Sequence, residues 1–370
     1  MQSWSLSLSS ARRPLNALLR TPVVASLVVP RKVDDYLELF DPIWSVEHVR
    51  ARVVKLRSTT RRAQSLWLQP NELWRGFRAG QHVLLSVRSD GVRHTRCFSI
   101  SSAPPDGLPL RITIQSVADG RVSDWATRVV QPGDIVELSQ AQGEFVLPDV
   151  LPRELLFVSG GSGITPVLSM LRQLCHVHYT GTVHFVHYTR DEFMFGEEIS
   201  ALAASHPKLR VTLHNTRRSR CHFSAEQLQC DVPNWRDCDA FVCGPQRLID
   251  TTLEHWTRHG LRERLRFERF SLQGTLSRSV RERDGVASQL YFRKSDVLYS
   301  ARPGLTLLEQ AEAAGLRPPN GCKMGICHSC KCRKLSGVVR DERSGALSSA
   351  GDEEIQLCIS TARSDLVLDL

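Results

Sequence analysis

Gly321-Cys322-Lys323-Met324-Gly325-Ile326-Cys327-His328-Ser329-Cys330, with Cys358 following in the tail, sets four thiols at C-x4-C-x2-C…C. This is the spacing of a plant-type [2Fe–2S] centre, whose two irons are held by four thiolates. Thiolate is the soft ligand that iron–sulfur clusters select. Gly321 and Gly325 flank Cys322, where the chain must wrap tightly and an unusual φ is cheap only for glycine. Cys322, Cys327, Cys330 and Cys358 are therefore candidate metal ligands. A zinc ribbon favours two paired C-x2-4-C hooks, whereas here the fourth ligand stands alone. Disulfides are disfavoured by an odd total of 11 cysteines and by the absence of a visible secretory signal. Cys332 reads as a small buried packing residue. Cys97, Cys175, Cys221, Cys230 and Cys238 carry no spacing signal and read as reduced core thiols. A cluster of this type exchanges single electrons, so the rest of the chain should show where they originate.

A length of 370 residues suggests two or three domains. Hydrophobic content of 41% and charged content of 24% are those of an ordinary globular protein. The apolar run Val23–Val29 is far short of the ~20 residues that span a bilayer. Net charge is +9, unevenly spread: residues 1–32 hold Arg12, Arg13, Arg20, Arg31 and Lys32 with no acid, whereas 284–370 hold 11 bases and 11 acids. No interleaved aromatics or nucleic-acid motif accompany the basic arm, so no nucleic-acid partner is expected. The arm reads either as a peripheral membrane contact through residues 1–32 or as a solvated terminus. A cytoplasmic location, at the inner face of the membrane under the first reading, is expected.

From 46 to 150, short alternating runs (His48–Leu56, Ser65–Gln69, His82–Arg88, Thr95–Ser101, Arg111–Val117, Asp134–Ser139) are broken by Pro/Gly/Asp turns, the pattern of an antiparallel β-barrel. From 151 to 270 strands alternate with helices. Glu154–Ser159, Val183–His187, Arg210–His214 and Ala240–Cys243 are the strands of a parallel α/β sheet. The helices are a stretch ending near His178, one around Glu197–Ala204, and Gln246–His259. Residues 271–285 read as a linker, and 286–370 carry the cysteines.

Gly160-Gly161-Ser162-Gly163-Ile164-Thr165-Pro166 lies between a strand and a helix. Glycines admit backbone close to a pyrophosphate, and the helix N-terminus offers free N–H groups. Thr165 is the expected N-cap and Pro166 suits the first turn. A plain tight turn is the other reading. Cys243-Gly244-Pro245 ends a later strand, and two glycine turns at the carboxyl ends of an α/β sheet argue for a dinucleotide cleft. Arg96-Cys97-Phe98-Ser99 offers a cation, an aromatic face and a hydroxyl, and Gly120-Arg121-Val122-Ser123 offers a further turn. A buried strand followed by a hairpin accounts for these two equally well.

Together these motifs resemble the ferredoxin–NADP reductase family of flavoproteins, fused to a C-terminal plant-type ferredoxin domain. The resemblance covers roughly residues 46–370. It implies three domains: an antiparallel β-barrel that binds FAD, an α/β parallel-sheet domain that binds NADPH or NADH, and an α+β β-grasp domain holding the [2Fe–2S] cluster. It implies that Arg96 holds flavin phosphate, Phe98 stacks on the flavin ring and Ser99 hydrogen-bonds near its N5. The family's tyrosine is replaced by Phe98, which lacks a hydroxyl. Gly120, Val122 and Ser123 match the flavin pyrophosphate turn. Gly160, Gly161, Gly163, Thr165, Pro166, Gly244 and Pro245 match the nicotinamide-nucleotide motifs. Arg266-Phe267-Glu268-Arg269-Phe270 looks like the family's terminal segment, with Phe270 over the second flavin face and Glu268 beside Cys243 at the hydride-transfer site. An amphipathic strand end is the other reading of that segment.

The resemblance implies an electron path from nicotinamide through FAD, which converts a hydride into single electrons, to the cluster and then to an external acceptor. Arg190, with Arg217 and Arg218 after the next strand, favours NADPH. Including Asp34-Asp35-Tyr36-Leu37-Glu38-Leu39-Phe40, the chain looks most like bacterial reductases that feed membrane fatty-acyl desaturases. Reductases of aromatic-ring oxygenases share the modules, and a redox-sensing subunit without turnover is the rival of another class. A monomer is expected.

Overall fold

The computed structural model describes residues 14–89, 92–118, 120–219, 221–270, 288–325, 328–342 and 345–370. The expected linker at 271–285, together with Arg12, Arg13 and Cys327, lies outside them. The chain divides into two compact units, Met1–Glu268 and Arg269–Leu370.

In the first unit, six strands form an antiparallel sheet of order β4-β3-β6-β1-β2-β5. They are β1 (Val49–Thr60), β2 (Ala63–Pro70), β3 (His82–Ser89), β4 (Val92–Ser99), β5 (Leu110–Gln115) and β6 (Ile135–Leu138). An isolated bridge, Ile100 to Ile112, joins the two ends of this order and closes the barrel. Alternate residues such as Val53, Leu66, Val83, Leu85 and Ile112 fill its core. β1 and β2 extend past the expected limits because their ladder continues through polar pairs such as Ser58 with Gln64, where burial no longer alternates.

The same unit holds β7 (Glu154–Gly160), β8 (Thr182–Thr189), β9 (Leu209–Asn215), β10 (Asp239–Gly244) and β11 (Leu265–Arg269), in the order β11-β10-β7-β8-β9. The pairs β10–β7, β7–β8 and β8–β9 are parallel. Helices Ile164–His176, Gly196–Ser205 and Gln246–Arg258 fall where expected; Ala225–Asp231 is an addition, capped by Ser224 Oγ accepting from Gln227 N at 3.1 Å. Thr165 is not the N-cap. A 3₁₀ turn at Gly161–Gly163 starts the winding early, Gly163 caps the helix, and Thr165 Oγ1 donates to Ser162 O at 3.0 Å from within the first turn.

The N-terminal segment carries helices Pro22–Leu27 and Val33–Phe40. It is pinned to the barrel by polar bonds, which excludes the solvated-terminus reading for its described part. Asn16 Nδ2 donates to Glu72 at 2.6 Å, Trp44 Nε1 donates to Asn16 at 2.8 Å, and buried Asp34 accepts from Ser45 Oγ at 2.5 Å and Val46 N at 2.8 Å.

The second unit is a mixed sheet of order β13-β12-β18-β14-β16, from β12 (Gln289–Phe292), β13 (Val297–Ser300), β14 (Lys331–Ser336), β16 (Glu353–Gln356) and β18 (Leu366–Leu368). A two-stranded sheet, β15 (Val339–Asp341) with β17 (Ser360–Ala362), and helix Leu307–Ala313 complete it. Thr306 and Glu309 form a capping box at the start of that helix.

Candidate redox site

The strand order of the α/β sheet reverses between β7 and β10, where open sheets of this kind place a ligand crevice. Gly160–Gly163 leaves the end of β7, and Gly244-Pro245 leaves the end of β10. Most of these glycines serve the contact between the two turns. A Cβ on Gly163 would lie 2.1 Å from Cys243 O, one on Gly244 2.8 Å from Gly160 N, and one on Gly160 2.7 Å from Pro245 Cδ. Gly161 differs, with φ +54° and open space where a Cβ would be. Pro166 sits buried in the first helical turn. Gly160, Gly161, Arg190, Pro245 and Arg247 line a cavity of about 740 Å³; a second, of about 480 Å³, adds Arg217 and Arg218. Arg217 is paired with Asp191 at 3.2 Å.

On the barrel, β4 presents Arg96, Cys97, Phe98 and Ser99. Arg96 Nη1 donates to Thr95 O at 2.7 Å, and half-buried Phe98 packs on the barrel core. Ser99 is buried, and its Oγ has no hydrogen-bond partner among the described residues. Gly120 opens a four-residue helix, Arg121–Asp124, rather than a hairpin. Val122 is buried in the barrel, while Ser123 Oγ donates to Gly120 O at 2.9 Å and accepts from Val117 N at 3.3 Å. These two side chains secure the turn, and a Cβ on Gly120 would meet Ser123 Oγ at 2.3 Å. Beside it opens a cavity of about 990 Å³ lined by Arg61, Arg62, Arg88, Arg121 and Arg128.

Barrel and sheet meet at Glu268. Its Oε1 is hydrogen-bonded to His82 Nδ1 at 3.2 Å, and His82 is the β-ladder partner of Ser99. Burial holds the Glu268 carboxyl above its ordinary value, against the opposing bond to His82. Burial likewise pushes the Cys243 thiol well up, helped by the charges of Glu268 and Cys97. The structure thus gathers Ser99, Cys243 and Glu268, and adds His82, which sequence reasoning missed. His82 Nε2 and Glu268 Oε2, like Ser99 Oγ, are buried without a partner among the described residues. Gly143 closes on this group: its Cβ would lie 3.0 Å from the His82 ring. Phe270 is half-buried and belongs to the second unit.

In that unit Cys322, Cys330 and Cys358 are buried. Cys358 is hydrogen-bonded to Cys330 and feels the charges of Cys330 and Cys322, so three thiols converge; that bond and burial push the Cys358 thiol up. Gly325 takes φ +72°, but the other positive φ angles in the loop fall on Lys323 and His328 rather than on Gly321. Cys332 packs in the domain core, its thiol raised to about 11 by burial. Of the cysteines expected as core thiols, Cys238 is buried, Cys97, Cys175 and Cys221 are half-buried, and Cys230 is exposed. Cys230 lies on the outer side of the unexpected helix Ala225–Asp231.

An orphaned serine hydroxyl beside a half-buried aromatic ring and an arginine-lined cavity fit a flavin nucleotide, and converging buried thiols fit a cluster. These features define a flavin- and nicotinamide-dependent reductase with its own iron–sulfur domain. The oxidoreductase FAD-binding domain family matches residues 54–147, the oxidoreductase NAD-binding domain family 157–254, and the 2Fe-2S iron-sulfur cluster binding domain family 291–363. The chain is 34% identical over 357 residues to an NADPH oxidoreductase of Mycobacterium tuberculosis, covering 94% of this chain and 91% of that protein. It belongs to that family of FAD-, NAD(P)H- and [2Fe–2S]-dependent electron-transfer oxidoreductases. The glycine betaine monooxygenase reductase subunit of Chromohalobacter salexigens is 26% identical over 320 residues, covering 79% of this chain and 87% of its own. In fold, the chain matches a phthalate dioxygenase reductase structure with TM-score 0.60 at 24% identity, over 88% of this chain and 98% of that one.

Proposed function

We propose that this reductase takes electrons from NADPH and delivers them to a membrane fatty-acyl desaturase. The observation that carries the acceptor is the outer face of the N-terminal segment: Leu18, Val23, Leu27, Val29, Leu39 and Phe40 are all exposed on a segment fixed to the barrel. Several large apolar side chains exposed along one short segment suit contact with lipid or protein. NADPH is favoured by Arg190, Arg217 and Arg218 around the nucleotide cavities, and by the name of the Mycobacterium tuberculosis relative.

When bound, flavin supplies the exchange between hydride and single-electron chemistry. The chain's residues hold and shield. Arg96 would hold flavin phosphate, Phe98 would cover the ring, and Ser99 would offer it an unpaired hydroxyl. Gly120, Val122 and Ser123 shape the pyrophosphate turn. Gly160, Gly161, Gly163, Thr165, Pro166, Gly244 and Pro245 form the nucleotide crevice floor, with Arg190 on the 2′-phosphate. Cys243 and Glu268 line the transfer site, and Cys322, Cys327, Cys330 and Cys358 hold the cluster.

A second reading, the reductase component of an aromatic-ring or other oxygenase, is favoured by the glycine betaine monooxygenase relative. Purified protein, NADPH and desaturase-containing membranes decide between them. Acyl desaturation should depend on added reductase and collapse with Cys330→Ser, while dye reduction at the flavin survives. Turnover with a soluble oxygenase and none with the membranes would overturn the desaturase assignment.

A further inference from the structure

At the amino ends of the α/β strands, opposite the crevice, three metal-ligating side chains converge that no part of the electron path uses. Glu154 opens β7, Cys238 immediately precedes β10, and His184 is near the start of β8. The ladders place Leu156 beside His184 and Leu155 beside Asp239, so Cys238 is level with Glu154. With side chains alternating along each strand, all three project from one face of the sheet. Their ligand atoms lie within 4.8 Å of one another, and His184 Nε2 is 3.9 Å from Glu154 Oε2.

His184 is 3% exposed, yet its Nε2 has no hydrogen-bond partner among the described residues. A buried, unpaired ring nitrogen is costly and calls for an explanation such as a missing ion. Burial lowers the pKa of this imidazole, and neutral imidazole is the form that binds metal. Cys238 is fully buried, and the Glu154 side chain, 30% exposed, gives access from solvent. Asn234 orients the pair: its Nδ2 donates to Glu154 Oε2 at 3.3 Å and its carbonyl accepts from Cys238 Sγ at 3.6 Å. Of the surrounding charges, Arg210 near His184 and Arg264 near Cys238 oppose a cation, while Asp237 and Asp239 favour one near Cys238.

We propose that Glu154, His184 and Cys238 bind one zinc ion, with water in the fourth position. Carboxylate, imidazole and thiolate are zinc's ordinary ligands, and tetrahedral bond lengths of about 2.0–2.3 Å set ligand atoms roughly 3.3–3.7 Å apart, so atoms now within 4.8 Å must draw together by up to about 1 Å. Binding releases the Cys238 thiol proton to solvent. The ion ties together the starts of three neighbouring strands and so stabilises the folded sheet by mass action.

The test uses flavin- and cluster-loaded protein equilibrated with Zn²⁺, desalted and assayed for zinc and iron. One zinc per chain is expected, with iron unchanged and an unfolding midpoint that rises with zinc concentration. Cys238→Ser should lose both effects, Glu154→Gln should weaken zinc affinity at least tenfold, and Cys230→Ser should change neither. Should Cys238→Ser fail to fold, Glu154→Gln, at a partly exposed position, carries the test. Absence of bound zinc in the wild type, or equal zinc affinity in Glu154→Gln, overturns the proposal.

Discussion

Adding one methyl group at Gly163 and at Gly161 separates two explanations of the glycine turn. Were both glycines present to admit a pyrophosphate, each alanine would damage nucleotide binding and neither would greatly affect folding. The geometry predicts otherwise. At Gly163 the new Cβ lies 2.1 Å from Cys243 O, 2.5 Å from Cys243 C and 2.8 Å from Gly244 N. All three are backbone atoms in a strand end held on one side by β7, so no side-chain rotation relieves the overlap. Overpacking of this kind costs about 1–3 kcal/mol, and a contact this short against backbone belongs at the upper end, ~3 kcal/mol. At Gly161 nothing lies within 4 Å, and the cost is only that of φ +54°. That is roughly 1–2 kcal/mol, offset by about 0.4–1 kcal/mol of lost unfolded-state freedom. Urea unfolding of the flavin-loaded proteins should therefore show Gly163→Ala destabilised by ~3 kcal/mol and Gly161→Ala by about 1 kcal/mol or less. Because the Gly163 clash displaces the Cys243–Gly244 turn, KM for NADPH should rise in that variant with flavin content unchanged. A Gly163→Ala protein as stable as Gly161→Ala would refute the turn-against-turn argument.

Two further outcomes follow from buried charge. The Glu268 carboxyl titrates above its ordinary 4.5 in the fold, so stability present below that value is lost as pH rises through the folded value. Glu268→Gln removes this loss: thermal midpoints of the variant and wild type should converge near pH 4 and diverge in the variant's favour by pH 7, and a constant offset across that range would contradict the assignment. Arg111 on β5 grips Glu198 through two bonds of 2.8 and 3.0 Å and is nearly buried, joining the barrel to helix Gly196–Ser205. Breaking a fully buried pair typically costs 3–5 kcal/mol, but Glu198 is 27% exposed and keeps Arg172 as a second partner, so Arg111→Ala should lower stability by a smaller ~2 kcal/mol, with part recovered in the double variant with Glu198→Gln; full additivity of the two changes would show the pair to be uncoupled.

The parts legible in sequence were those whose cause is local. Period-two alternation located the barrel strands, and strand–helix alternation located the parallel sheet, because each pattern is written along one segment. Helix Ala225–Asp231 escaped notice because seven residues give too short a period, leaving only Ser224 and its cap as a signal. The helix Val33–Phe40 carried a usable one, Asp34 and Asp35 in its first turn. His82 could not be found from the chain alone: its place beside Glu268 follows from the β3–β4 register and from a strand arriving 186 residues later. The zinc candidate is hidden for the same reason, since Glu154, His184 and Cys238 have no motif spacing and become neighbours only through the order β10-β7-β8. In sequence the glycines read as permissive for a ligand, although Gly160, Gly163 and Gly244 answer first to one another.

The basic arm changes meaning once its inner and outer faces are separated. Among its described cations, Arg20 donates to Val46 O at 2.5 Å, Lys32 stands 3.6 Å from Glu47 and Arg31 is exposed, while the nearby acids Glu38 and Asp41 are paired with Arg50 and Arg52. A bond to a carbonyl leaves the arginine's charge in place, so the segment keeps positive charge. Beside that charge the segment offers apolar surface: Leu27 is 78% and Phe40 82% exposed, and burying one such side chain fully is worth about 1.5–3 kcal/mol. Attachment through these groups would be set by area rather than by charge. Salt screens charges and not apolar contact, so membrane binding by this segment should survive high ionic strength. Release by salt alone would assign the attraction to charge and refute the apolar reading.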